Sequence, residues 1–328
     1  MKMRAVLCEK LGWPATLPVA EVAVPQPGAG QMLVEVAAAG LNFADQLLIG
    51  GSYQEKMTPP FVPGAELAGT VVEVAPDVTR FRVGDRVMGQ VNSGAYAEFA
   101  LLDAHRAQYV PSRMPFDEAA GFFIPYGTAA CGLYERARLK EDETVLVTGA
   151  AGGVGRAAVE LAKARGRHVI AIASGEQRRS GLRDIGGITV FDTDASKLNE
   201  RVKDATAGAG VDIVFDVVGG KLAQQAMRTL RVEGRFVMAG FASGDLPELR
   251  ANHLLVKNID VVGFYWGAYQ ARFPDRTDAL FEDLRRLYVQ GVIKPHTSAR
   301  FPIEQFNEAM AELLKRKHIG KIIMDPKL

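Results

Sequence analysis

The residues best placed to do chemistry are in the run Val145-Leu146-Val147-Thr148-Gly149-Ala150-Ala151-Gly152-Gly153-Val154-Gly155. An apolar stretch of buried-strand type ends in a cluster of glycines. A helical pattern with Ala157, Ala158, Leu161 and Ala162 on one face follows, as far as Gly166. Glycines at such a turn let the backbone approach a pyrophosphate. The helix start then offers the anion unpaired N–H groups and a partial positive charge. The next apolar run, His168 to Ala173, completes the βαβ unit that the dinucleotide fingerprint requires. Gly152, Gly153, Val154 and Gly155 are therefore the expected phosphate contacts. Ala150 stands where the fingerprint has its first glycine, so the match is imperfect there. The bland alternative is a tight βα turn in an α/β domain that binds nothing.

The identity of the dinucleotide should be written at the end of the second strand. An NAD site carries an acid there for the ribose 2′-hydroxyl. This chain has Ala173-Ser174-Gly175, then Glu176-Gln177-Arg178-Arg179. Ser174 and Arg178 suit a 2′-phosphate, which a guanidinium binds bidentately. The expected cofactor is NADP(H), with Glu176 as the competing acid if the strand ends later than read. Arg178 and Arg179 could otherwise be no more than a solvated helix face.

Around this loop, the texture of the chain predicts two kinds of structure. The first ~120 residues carry short apolar runs (Met32 to Ala38, Leu67 to Val74, Arg86 to Met88, Ala97 to Leu102) divided by Gly, Pro and Asp turns, which predicts a folded sheet or partial barrel. Beyond them strand-like runs alternate with helical stretches: Thr144 to Thr148, His168 to Ala173, Asp212 to Val218, Arg235 to Ala239 and Asp260 to Phe264. That alternation predicts a parallel sheet covered on both faces. Two helical patterns and a short strand, Lys321 to Met324, end the sequence.

The 328 residues favour two domains, and the 48% hydrophobic and 23% charged content is that of a globular protein. A net charge of +1 gives no strong pull towards nucleic acid or anionic membrane. Met1 to Lys10 lacks the apolar core of a signal peptide, and no segment reaches the length of a membrane span. Cys8 and Cys131, the only two cysteines, indicate no disulfide framework, so the cytoplasm is the expected compartment.

Taken together, Gly40-Leu41-Asn42-Phe43-Ala44-Asp45, Gly51-Ser52-Tyr53, Val62-Pro63-Gly64-Ala65-Glu66-Leu67-Ala68-Gly69, Val83-Gly84-Asp85-Arg86-Val87, Tyr126-Gly127-Thr128-Ala129, the glycine loop and Gly320-Lys321 make the chain resemble the quinone oxidoreductase, ζ-crystallin-like branch of the zinc-free medium-chain dehydrogenase/reductase superfamily. The resemblance runs essentially end to end. It implies an α/β fold, with a Rossmann doubly wound parallel sheet over 123–265. It also implies a GroES-like β-rich catalytic domain from 1–122 and 266–328, and a cofactor cleft at their junction. By the same resemblance Asn42 lies beside the nicotinamide and Thr128 contacts its carboxamide region. Phe241 and Phe264 line the cofactor, and Tyr265 and Trp266 line the substrate pocket. Each has a plainer alternative: a turn for Asn42, a helix start for Thr128, core or interface packing for the aromatics. Tyr53 falls at the spacing from Asn42 at which enoyl-thioester reductases carry a cleft tyrosine, a candidate general acid; the alternative is loop packing.

The zinc-dependent branch places a Cys where this chain has Asn42 and a His where it has Ala65. Its third ligand falls near Ala120. Two distant cysteines and five scattered histidines cannot build a closed tetrahedral site, so no metal is expected. Glu66 is read as structural polar pairing. The expected activity is NADPH-dependent reduction of quinones or other conjugated electron-poor acceptors. An enoyl-thioester (enoyl-CoA) reductase is the alternative. An NADPH-binding protein without turnover, crystallin-like or nucleic-acid-binding, is the reading of another class. The resemblance further implies a homodimer paired through the edge strand Ile259 to Phe264.

Overall fold

The computed structural model describes residues 1–328, apart from the side chain of Ala195. The chain divides into two compact units. Met1–Ile124, Gln270–Phe281 and Pro295–Leu328 form the first, and Pro125–Tyr269 and Glu282–Lys294 form the second. The return segment expected whole at 266–328 is thus divided, with Glu282–Lys294 grouped with the second unit.

In the first unit β1 (Lys2–Val6) and β2 (Val19–Ala23) pair antiparallel. The main sheet begins with β3 (Gln31–Gly40), β4 (Glu66–Val74), β5 (Arg86–Gln90), β6 (Phe99–Asp103) and β7 (Ala107–Tyr109). β3 is its hub: it bonds to β4, to β6 and to a strand from the far end of the chain. The inner faces of these strands supply Met32, Val34, Val36, Leu67, Val71, Val87 and Leu102 to one core. The alternation of buried and half-buried positions in β6 is that of a sheet with one covered face.

The second unit holds β8 (Thr144–Val147), β9 (His168–Ile172), β10 (Thr189–Phe191), β11 (Val211–Asp216), β12 (Leu230–Met238) and β13 (Asp260–Gly263). They form one six-stranded sheet in the order β10-β9-β8-β11-β12-β13, parallel throughout. This is the doubly wound order, in which ligands bind outside the carboxyl ends of the strands where the winding reverses. β11 is buried at every position, as a strand covered on both faces must be. Leu146, Ile170, Val214 and Phe236 meet Leu198, Val202, Ala223 and Met227 from two helices on one face. β12 starts earlier than the apolar run predicts. After buried Leu230, the residues Arg231, Val232 and Glu233 are exposed, and the register shifts opposite Val211–Ile213, so the pattern hides its start.

β14 (Thr297–Pro302) and β15 (Lys321–Asp325) complete the first unit's sheet, in the order β14-β15-β3-β4-β5-β7. β15 runs antiparallel to β3, with Ile323 opposite Gly40 and Met324 opposite Ala39. Among the described residues no helix is long and apolar enough to cross a membrane.

Candidate functional site

At the end of β8 the chain turns through Gly149, which has φ of +59°, a conformation that costs glycine little and other residues more. Ala150 does not share it. The tight turn is therefore made one residue before the fingerprint's first glycine, which is why alanine is tolerated at Ala150. The helix Gly153–Ala164 follows, with Gly152 at its N-cap and no side chain capping it. Its first N–H groups are therefore left for another acceptor. A Cβ on Gly155 would stand 2.3 Å from the Gly149 carbonyl oxygen, so only glycine lets helix and loop close up there. A Cβ on Gly152 would meet nothing nearer than 3.6 Å. One glycine is required by packing, and the other leaves space beside the backbone.

The loop is tied to its neighbour. Buried Asp216, at the end of β11, accepts from the Thr148 hydroxyl at 2.5 Å and from the Gly219 amide at 2.9 Å. Thr148 in turn accepts from the Val217 amide at 3.2 Å. The loops that follow β8 and β11 are thus fixed to one another. Burial pushes the Asp216 carboxyl above its ordinary value, and these donors pull it back.

At the end of β9, Gly175 takes φ of +74° and starts the helix Glu176–Arg183. Arg178 donates to the Ser174 hydroxyl at 2.9 Å. Glu176 accepts from Arg179 at 2.7 Å and Arg183 at 2.6 Å, and these two partners hold its carboxyl below the usual range. The strand tip thus presents a serine and a guanidinium, while Glu176 is engaged along its own helix.

Thr128 is buried inside the helix Phe123–Ala130, not at its start. The predicted aromatic residues each rest on a glycine. Trp266 is buried against Gly127, with its ring 2.6 Å from where a Cβ would be. Phe264 lies beside Gly132, Phe241 beside Gly219, and Tyr265 beside Gly267. Tyr53 is half-buried against the apolar core of the first unit.

The first unit holds a second polar centre. Asn42 precedes the helix Phe43–Ile49, and its backbone N–H donates to Asp45 at 2.7 Å. The Lys321 ammonium, at the start of β15, donates to the Leu41 carbonyl at 2.8 Å, to Asn42 Oδ1 at 2.8 Å and to Glu66 Oε2 at 3.1 Å. The side chains of Lys321 and Glu66 are 8% and 0% exposed. The other oxygen of Glu66 accepts from the Ile124 amide at 2.8 Å. Tyr96 donates to Asp45 at 2.5 Å. Burial raises the Glu66 carboxyl, with Lys321 opposing the shift, and raises Asp45 from 3.8 to about 6. Gly40 admits this cluster, since a Cβ there would stand 2.2 Å from the Ala120 carbonyl and 2.8 Å from Glu66. The structural pairing expected of Glu66 has Lys321 as its partner. Lys321, Asp45 and Tyr96 were not singled out as site residues. The available signals were the Gly320-Lys321 motif and a lysine heading the apolar run Ile322-Ile323-Met324.

Residues 28–114 match the family described as alcohol dehydrogenase GroES-like domain, and residues 153–282 match the one described as zinc-binding dehydrogenase. The chain is 38% identical over 327 residues to quinone oxidoreductase-like protein 2 homolog of Nematostella vectensis, covering 99% of this chain and 89% of that one. The chain belongs to the quinone oxidoreductase branch of the medium-chain dehydrogenase/reductase family. Among solved structures, a mycobacterial protein complexed with NADPH matches at a TM-score of 0.92 and 30% identity, over 99% of this chain and 100% of that one. The CurK enoyl reductase matches at 0.89 and 26% identity, over 98% and 99%. These matches establish an oxidoreductase fold.

The zinc for which one family description is named does not fit this member. Where zinc-dependent members of the superfamily carry ligands, this quinone oxidoreductase-type chain has Asn42, Ala65 and Ala120. The ammonium of Lys321 already lies between Asn42 and Glu66. Among the described residues, no group of three His, Cys, Asp or Glu side chains could hold a metal ion.

Proposed function

We propose that the chain transfers a hydride from NADPH to a conjugated, electron-poor acceptor, a quinone or an α,β-unsaturated carbonyl, without a metal. The observation that carries the choice of donor is the end of β9. There Arg178 and Ser174 form a ready pair for a 2′-phosphate, and Glu176 is held by Arg179 and Arg183. Gly152, Gly153, Val154 and Gly155 would receive the pyrophosphate on the uncapped helix start. NADPH supplies the hydride. Asn42, Thr128, Phe241 and Phe264 would hold its nicotinamide end, and Tyr265 and Trp266 the acceptor. In either acceptor negative charge builds on an oxygen conjugated with the carbon attacked, so positioning and oxyanion stabilisation are the protein's tasks. The reading includes a cytoplasmic homodimer paired through β13, the outer strand of its sheet.

A second reading, an enoyl-thioester reductase, is favoured by the likeness to the CurK enoyl reductase. Tyr53 separates the two. A phenol donating to an enolate oxygen would act as a general acid worth about 10²- to 10⁴-fold, and the less basic quinone product needs it less. NADPH consumption is to be measured with a panel of quinones, enones and enoyl-CoAs, for the native protein and Tyr53→Phe. Quinone turnover nearly equal in both, with little enoyl-CoA turnover in either, supports the first reading. A collapse confined to enoyl-CoA supports the second. No NADPH consumption with any acceptor would remove both.

A further inference from the structure

The second unit holds a buried carboxylate that hydride transfer does not use. Glu160 is on the helix Gly153–Ala164, which begins at the glycine loop, and its side chain is 6% exposed. Its Oε1 accepts from Arg156 Nε at 2.9 Å, one turn earlier on the same helix. Its Oε2 accepts from the Tyr126 hydroxyl at 2.6 Å and from the Lys294 backbone N–H at 3.0 Å. The Lys294 bond ties the end of Glu282–Lys294 to this unit. Arg156 also reaches the Gly181 carbonyl, at a long 3.4 Å, so the tie towards the helix of Arg178 is weak by comparison.

A phenol has a single O–H to give, and a carboxylate is its strongest ordinary acceptor. Tyr126 is 2% exposed and lies two residues before Thr128 in the helix Phe123–Ala130. Two residues are about 200° around a helix, so these side chains leave it on nearly opposite sides. Gly127, between them, lies under the Trp266 ring. The helix that carries Thr128 is thus held from its far side, by one hydroxyl on a fixed carboxylate.

We propose that Glu160 is a positioning residue: through Tyr126 it sets the Thr128 helix against the glycine-loop helix, and so fixes where the nicotinamide ring rests relative to the pyrophosphate. The two helices meet one ligand at two places. A slip between them misplaces the ring and leaves the phosphate contacts alone, and a misplacement of about 1 Å can cost roughly 10²-fold in rate. This inference rests on the reading that puts Thr128 at the nicotinamide and the pyrophosphate on the glycine loop.

The test sets Tyr126→Phe against Glu160→Gln. Tyr126→Phe removes only the hydroxyl, and Glu160 keeps Arg156 and Lys294 as donors. Glu160→Gln keeps an oxygen for the side with two donors, Tyr126 and Lys294, and turns its NH2 towards Arg156. It removes the charge facing a largely buried guanidinium, so it should lower the unfolding midpoint more than Tyr126→Phe does. The readouts are binding of adenosine 2′,5′-bisphosphate, which lacks the nicotinamide riboside, the fluorescence of the reduced nicotinamide in bound NADPH, and single-turnover hydride transfer to 1,4-benzoquinone. Tyr126→Phe should bind the bisphosphate as the parent does, shift the nicotinamide fluorescence, and slow hydride transfer roughly 10-fold or more. Glu160→Gln, the less stable variant, should keep both nicotinamide readouts close to those of the parent. If the losses follow stability instead, with Glu160→Gln the worse in every readout, the two residues are merely structural and the proposal is overturned. Weakened bisphosphate binding in Tyr126→Phe, or nicotinamide readouts unchanged from the parent, would also overturn it and leave the cofactor reading intact. The fluorescence comparison needs no acceptor, so it decides the point whichever acceptor the enzyme takes. A parent protein that binds neither NADPH nor the bisphosphate would remove the cofactor reading itself, and this inference with it.

Discussion

The glycine loop and the Lys321 cluster solve opposite problems. The loop after β8 is made of backbone, and its utility lies in what is missing: no Cβ at Gly152 or Gly155, no side-chain cap on the helix. The cluster is made of side chains that converge from four segments: Asn42 with Asp45, then Glu66, Tyr96 and Lys321. The loop should respond to added volume and the cluster to removed charge.

The largest effect is expected in the cluster. Lys321→Met leaves a buried Glu66 without its cation, a loss of about 3 to 5 kcal/mol in unfolding free energy. Denaturant titration measures it, and Glu66→Gln/Lys321→Met should recover most of it. A loss below about 1 kcal/mol would place the pair with solvent-exposed ones.

Next comes the end of β9. Arg178→Ala should raise the NADPH dissociation constant by about 10- to 150-fold, the equivalent of about 1.5 to 3 kcal/mol for a charge-assisted contact, and leave NADH unchanged. Equal affinity of the native protein for both cofactors would remove the proposed 2′-phosphate site.

Within the loop the two glycines should part company. Gly155→Ala must push against the Gly149 carbonyl and should lower stability by about 1 to 3 kcal/mol. Gly152→Ala meets the Gly149 carbonyl only at an ordinary contact distance of 3.6 Å and should melt as the parent does, while NADPH binds more weakly. If both variants melt alike, the distinction between packing glycine and approach glycine is lost.

The smallest effect concerns pH. Asp45 is raised from 3.8 to about 6 in the folded protein, chiefly by burial. The folded state therefore holds its proton more tightly than the unfolded one. That contribution to stability is complete below about pH 4 and is lost as the pH rises through about 6. Asp45→Asn should flatten the stability profile in that window. A slope unchanged from the parent would show that Asp45 ionises normally.

The same contrast explains what was legible. The loop and the parallel strands are contiguous: apolar runs such as Val211–Asp216 and the glycines of 149–155 lie side by side in the sequence, so period and spacing reveal them. β10 and β14 escaped notice, because they are short or half-exposed and carry little pattern. The cluster could not be assembled by inspection. Asn42, Glu66 and Lys321 each entered through resemblance, but nothing local to any of them joins the three. Trp266 shows the converse. The resemblance implies a pocket wall, with core packing as the alternative, and the structure adds that it is buried on Gly127.

The return of β15 to β3 has a consequence for how the molecule comes to exist. Lys321 meets Glu66 and Asn42 across 255 and 279 residues. While the chain emerges from the ribosome, the first sheet must wait with an unneutralised carboxylate and an untethered amide until that strand arrives. Contacts so distant are slow to close. The nucleotide-binding sheet has no such debt, since every strand it needs lies within residues 144–263. The order of maturation should therefore invert the order of synthesis: the second unit sets first, and the amino-terminal sheet is sealed last.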